Sequence, residues 1–177
     1  FTDVERLDPL HGMPMATLMA DGTKISDLSP LRKMPLENLY LYGTTVSDLT
    51  PLKGMKLKTL SVSATNVADI SVLGGMPLEV FSCAGSKVRN IAPLAGVPLK
   101  WLNIEGLPVD DLAPLTGMKL KGLNIDRTKI TSLEPLRGMP IEDLSINGTA
   151  ISDLSPLKGM PLRSLHIRDT AVTDLTP

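Results

Sequence analysis

Ser145 and His166 stand 21 residues apart, and Asp143 lies two residues before the serine. Serine, histidine and aspartate are the set that acyl transfer uses. The histidine takes the serine proton, and the carboxylate orients the imidazole. That chemistry needs the serine within hydrogen-bond reach of the histidine and preorganised N–H donors for the oxyanion. Glu105 and Asp126 are also 21 residues apart. As neighbouring carboxylates they suit a cation, although Ca²⁺ takes six to eight oxygens. Five aromatic residues make a third group: Phe1, Tyr40, Tyr42, Phe81 and Trp101. Cys83 is the sole cysteine, so no internal disulfide forms. What these groups can do depends on the elements that hold them, and the recurring interval of 21 is the guide.

The interval runs through the whole chain. Pro9, Pro30, Pro51, Val72, Pro93, Pro114, Pro135, Pro156 and Pro177 follow one another at 21 residues without an insertion. The chain therefore divides into a partial unit, 1–9, and eight 21-residue units, 10–177, in one domain. The consensus is L-K-G-M-P-L-x-x-L-x-I-x-G-T-x-V-x-D-L-x-P. Repeats of this length cannot each bury an apolar face alone, and stacking buries a continuous core.

Each unit predicts one short strand, such as Glu37 to Leu41. Leu39 and Leu41 alternate there with Asn38 and Tyr40. Successive strands pair in parallel at about 4.8 Å, so eight span roughly 34 Å. The return path is too short for a long α-helix. Asp27, Asp48, Asp69, Asn90, Asp111, Ser132 and Asp153 precede an L-x-P-L turn and suit capping of its free N–H groups. Proline sits early in that turn, and glycine, as at Gly54 and Gly75, ends it. The reading is a single 3₁₀ turn per unit on the convex side.

The core consists of ladders. Leu10, Leu31, Leu52, Leu73, Leu94, Leu115, Leu136 and Leu157 form one. Methionines from Met13 to Met160, with Val97 as the exception, form another and read as gap-filling core. Cys83 takes a leucine position and reads as a small buried hydrophobe. A hydroxyl ladder, Thr23, Thr44, Thr65, Ser86, Thr128, Thr149 and Thr170, is expected to bond backbone groups of the adjoining loop. Leu107 interrupts it in the fifth unit.

The segment L-x-x-L-x-L/I-x-x-T, as in Leu36, Leu39, Leu41 and Thr44, resembles the leucine-rich repeat. The tail V-x-D-L-x-P-L resembles the internalin-like bacterial class. The unit is one residue shorter than the usual internalin repeat, and threonine stands at the asparagine site. The resemblance implies an α/β, right-handed leucine-rich-repeat solenoid. Its parallel sheet lines the concave side, with short 3₁₀ turns and loops on the convex side. It also implies a non-enzymatic module that binds protein or peptide on the concave sheet. No kinase motif of the kind fused to similar repeats is present.

Three columns of residues then face outward. The sequence places Tyr40, Tyr42 and Trp101 in them, with Ser61, Ser63 and Ser82 between. The expected picture is a trough of small side chains walled by aromatics about 14 Å apart. Such aromatics are favoured binding residues. The last three units carry a polar face, and with Asn103, Glu105, Asp126, His166 and Arg168 it completes the candidate partner site. Two other readings stand beside this one: a structural spacer in a larger bacterial protein, and carbohydrate or small-ligand binding at the aromatics. An open sheet offers no pocket and no free backbone donors for the Ser145–His166–Asp143 chemistry. No catalytic residue, metal or cofactor is therefore assigned.

A net charge of −1 excludes the basic face that nucleic-acid binding needs. No apolar run is long enough to insert in a membrane as a helix. The resemblance admits an extracellular or cell-surface location, and nothing in the chain argues against the cytoplasm. Neither end carries a polar capping unit. The sequence therefore reads as a fragment of a longer protein whose uncapped ends favour end-to-end self-association.

Overall fold

Strands recur every 21 residues, and each is three residues long: β1 Thr17–Met19, β2 Asn38–Tyr40, β3 Thr59–Ser61, β4 Val80–Ser82, β5 Trp101–Asn103, β6 Gly122–Asn124, β7 Asp143–Ser145 and β8 Ser164–His166. The computed structural model describes residues 3–175; Phe1 and Pro177 lie outside them. One parallel sheet runs β1 to β8 in chain order. Its register offset is one period throughout, with Thr17 opposite Asn38 and Asn38 opposite Thr59. One period is one turn of a coil, and the coil is right-handed, as parallel crossovers are. The regular strand of the second unit stops one residue short of each expected end. Pairing still reaches those ends: Lys58 N–H donates to the Glu37 carbonyl at 2.7 Å, and Leu41 N–H to the Ser61 carbonyl at 2.9 Å.

The return path holds eight 3₁₀ turns, from Asp8–Leu10 to Ser155–Leu157. Among the described residues there is no α-helix. The expected caps form. Asp27 and Asp48 carboxylates accept the N–H of Ser29 and Thr50 at 2.7 and 2.8 Å, and Asn90 does the same for Ala92 at 2.8 Å. The turn with Val72 in place of proline forms as well, at Ser71–Leu73. Proline thus favours the turn without being required. The residue after each turn's C-cap is left-handed, which suits glycine. In the second unit it is Lys33, at φ 61°. A side chain there costs about 1–2 kcal/mol.

The caps predict a pH dependence. Hydrogen bonds from the backbone and hydroxyl of Ser29 hold the Asp27 carboxyl below the usual aspartate range. Ser71 and Ser155 do the same for Asp69 and Asp153. A depressed folded value contributes stability above the unfolded value of about 3.9. That stability is lost as pH falls through the lower folded value. Urea midpoints should therefore hold level down to about pH 5 and drop below about pH 4. Asn at Asp27, Asp69 and Asp153 together should shallow the drop, since an amide caps without titrating. An unchanged acid slope in that variant would refute the assignment.

The core fills the space between sheet and turns. Leu31, Met34, Leu36, Leu39, Leu41, Val46 and Leu49 are all buried, and the equivalents Leu52, Met55, Leu57, Leu60, Val62, Val67 and Ile70 repeat the set. The methionine ladder is buried except at the ends of the stack, where Met13 is exposed and Met160 half-buried. Cys83 is fully buried, and desolvation pushes its thiol up to about 12. It is neutral packing, not a nucleophile.

The hydroxyl ladder bonds backbone groups as expected, each within its own unit. Thr44 Oγ1 donates to the Leu41 carbonyl at 2.8 Å, three residues back in its own unit. Thr23, Thr65, Thr128, Thr149 and Thr170 repeat the bond. The hydroxyls of Thr65, Ser86 and Thr170 also accept the N–H two residues on, at 3.4 Å. Side chains two residues past the strand ends bridge adjacent units. Asp21 accepts the Tyr42 N–H, Asp126 the Asn147 N–H and Asn147 the Arg168 N–H, each at 2.7 Å. Leu107 breaks the hydroxyl series by being buried itself.

Candidate functional site

Strand alternation decides what faces outward. The central residue of each strand from β2 to β7 is buried, while the residues on either side point to the concave face. On β5 the outward residue is Trp101, and its neighbour on β6 is Gly122. The benzene part of the indole lies over that glycine. A Cβ at Gly122 would stand 2.0 Å from Cε3 and Cζ3 of Trp101. The indole therefore leans toward β6, away from Tyr40 and Tyr42, and remains 46% exposed.

This leaning wall bounds an open concavity of about 530 Å³ over β4 to β8. Its walls include Val80, Trp101, Asp143, Ser164 and His166, and its floor is strand backbone with the outward Asn103, Asn124 and Ser145, the leucines between them being turned into the core. The hollow exists because glycine and serine stand where longer side chains would fill it. An exposed aromatic beside convergent polar groups is the usual character of a binding surface.

Charges around the hollow are mostly paired. The row just before the strands carries Glu37–Lys58 at 2.9 Å, Glu79–Lys100 at 2.6 Å and Glu142–Lys121 at 2.6 Å, with Arg163 on Glu142 at 3.4 Å. The Lys100 hydrogen bond holds the Glu79 carboxyl below its usual range. Glu105 pairs with Arg127 and accepts from Asn124 Nδ2 at 3.4 Å. Asp126 accepts from Ser145 Oγ at 2.7 Å, from Asn147 N–H at 2.7 Å and from Asn147 Nδ2 at 2.9 Å. Asp143 accepts from none of the described residues.

Solved structures share this fold. An internalin (inlF) from Listeria monocytogenes superposes with a TM-score of 0.91 at 27% identity, covering 98% of this chain and 54% of that one. An internalin C2 (inlC2) from the same organism superposes at 0.69 with 28% identity, covering 86% and 80%. The chain is similar to these bacterial internalins and shares their leucine-rich-repeat fold. A leucine-rich-repeat protein from Leptospira interrogans, at 15% identity and TM-score 0.61 over 88% of this chain and 55% of that one, shares the fold alone. No family model and no curated protein sequence matches the chain. This internalin-like chain spans about half the length of the inlF structure.

The internalin-like sheet brings some expected site residues together and separates others. Ser82, Trp101, Asn103 and His166 line the hollow. Tyr40 and Tyr42 stand apart from it on the β2 side, half-buried and exposed respectively. Ser61 and Ser63 lie between, and Ser63 is buried, its hydroxyl 2.7 Å from that of Ser82. Glu105 and Asp126 are engaged as described, and Arg168 is exposed next to the β8 edge. Among the described residues no three metal-ligating side chains converge. The Ser145, His166 and Asp143 set does not assemble as a relay. Ser145 donates to Asp126, while His166 Nε2 sits 3.0 Å from Ser164 Oγ. His11 is exposed, with Nδ1 3.1 Å from the Pro30 carbonyl.

Asp143 lines the hollow and Gly122 lies under the indole that walls it, although the candidate set omits both. The signal was present in the columns. A glycine inside a strand marks close approach by another group, and here it directly follows tryptophan on the neighbouring strand.

Proposed function

We propose that this chain is a protein- or peptide-binding module whose concave sheet carries the contact, centred on the hollow beside Trp101. The observation that carries the reading is the exposed indole walling an open hollow among short side chains. Tryptophan and tyrosine bury large area at low entropic cost, and such residues dominate contact energies. Tyr40 and Tyr42 form a second contact point further along the same face. The internalin-like architecture is generally a protein-interaction module, which agrees with this use. No helix among the described residues is long and apolar enough to cross a membrane.

The test is a capture experiment in three arms: the chain itself, Trp101→Ser, and Tyr40→Ser with Tyr42→Ser. Circular dichroism checks that each is folded. Proteins retained by the first arm should be lost from the second and reduced in the third. Identical retention in all three arms would sink the reading and favour a spacer. Retention of glycans alone, lost with Trp101→Ser, would favour carbohydrate binding.

A further inference from the structure

Asp143 is a carboxylate on the rim of the hollow, half-buried, with no internal donor. Its surroundings explain why. Its neighbour on β6 is Gly122, which has no side chain to offer. Its neighbour on β8 is Ser164, whose hydroxyl is engaged with His166. The nearby cations Lys121 and Arg163 are both held by Glu142. Every other carboxylate described above for this stretch of the concave face has a donor.

The Trp101 indole lies over Gly122, so its ring and the Asp143 backbone are roughly one strand spacing apart, about 4.8 Å. A cation within about 6 Å of a tryptophan ring centroid is attracted by the ring face. A group resting on the exposed side of the indole would lie within reach of both the ring and the carboxylate. A guanidinium fits best, since it stacks on aromatic faces and bonds carboxylates through two N–H groups. The aliphatic stem of arginine or lysine would lie along the exposed part of the indole. Apolar and acidic side chains leave the carboxylate without a donor when the hollow is covered, which disfavours them.

We infer that the hollow at Trp101 and Asp143 receives a cationic side chain, arginine or lysine, of the bound protein or peptide. This rests on the concave face being the contact surface. The test selects 12-residue peptides from a random displayed library on the chain. Affinities are then measured on the chain, on Asp143→Asn and on Trp101→Ser. Selected peptides should share one basic residue. Replacing it by citrulline or norleucine, or using Asp143→Asn, should weaken binding about tenfold, the two changes together costing little more than either alone. Peptides that need Trp101 but share no basic residue, or that bind Asp143→Asn equally, would overturn this inference and leave the contact surface standing. Selection of no peptide, or of peptides indifferent to Trp101→Ser, would overturn both.

Discussion

Phe81→Ala is expected to lower the unfolding free energy by about 3–5 kcal/mol, the range for emptying a large aromatic from a packed core. Phe81 is 1% exposed and is the largest fully buried side chain of the described residues. It sits on β4 in the leucine ladder, between Leu60 and Leu102. The neighbours above and below are leucines held by their own strands, so they cannot collapse into the space. The position adds a second effect. Strands pair only with their sequence neighbours, so stability is close to a sum of units and the interfaces between them. A weak interface in the middle divides the stack. Urea unfolding followed by Trp101 emission and by far-UV circular dichroism should then cease to coincide. A loss below about 1 kcal/mol with coincident curves would show that the stack repacks around the hole.

Gly122→Ala is expected to separate binding from folding. The new Cβ would overlap the Trp101 ring at 2.0 Å, so the indole must swing off the β6 surface. The backbone gives no resistance, because Gly122 is not in the left-handed region. Alanine in a strand is favoured over glycine by about 0.5–1 kcal/mol, which offsets the lost contact. Stability should therefore change by less than about 1 kcal/mol, while the wall of the hollow is removed. Trp101 is the sole tryptophan, so its emission reports the change directly. The maximum should move to longer wavelength, and retention of a captured partner should fall as far as with Trp101→Ser. An unmoved maximum would mean that the ring does not rest on Gly122.

The two substitutions mark what was legible in the sequence. Phe81 was readable as core because the period assigns it to the leucine column, and the pairing of Leu60 with Phe81 and Phe81 with Leu102 follows that assignment. The 3₁₀ turns and their Asp caps were readable for the same reason. Repetition presents each local signal seven or eight times. The concave face repeats nothing, so each residue there is read once. The columns place Trp101 outward, but side-chain torsion decides whether it leans toward the tyrosines or away. That torsion follows from the space above Gly122. Asp126 shows a second limit. As an outward carboxylate it reads as a contact residue, yet three donors from β7 and its loop engage it. Asp143, two residues before one of those donors, reads alike and has none.

The constant register has a metrical consequence. With no insertion between units, position along the concave face is counted in whole strands, each about 4.8 Å. Tyr40 and Trp101 are three strands apart. Removing one 21-residue unit between them would bring the two contact points closer by one such step while leaving each internally intact. Adding one would separate them equally. The sheet is in that sense a graduated scale, on which selection can adjust the spacing of two contacts without redesigning either.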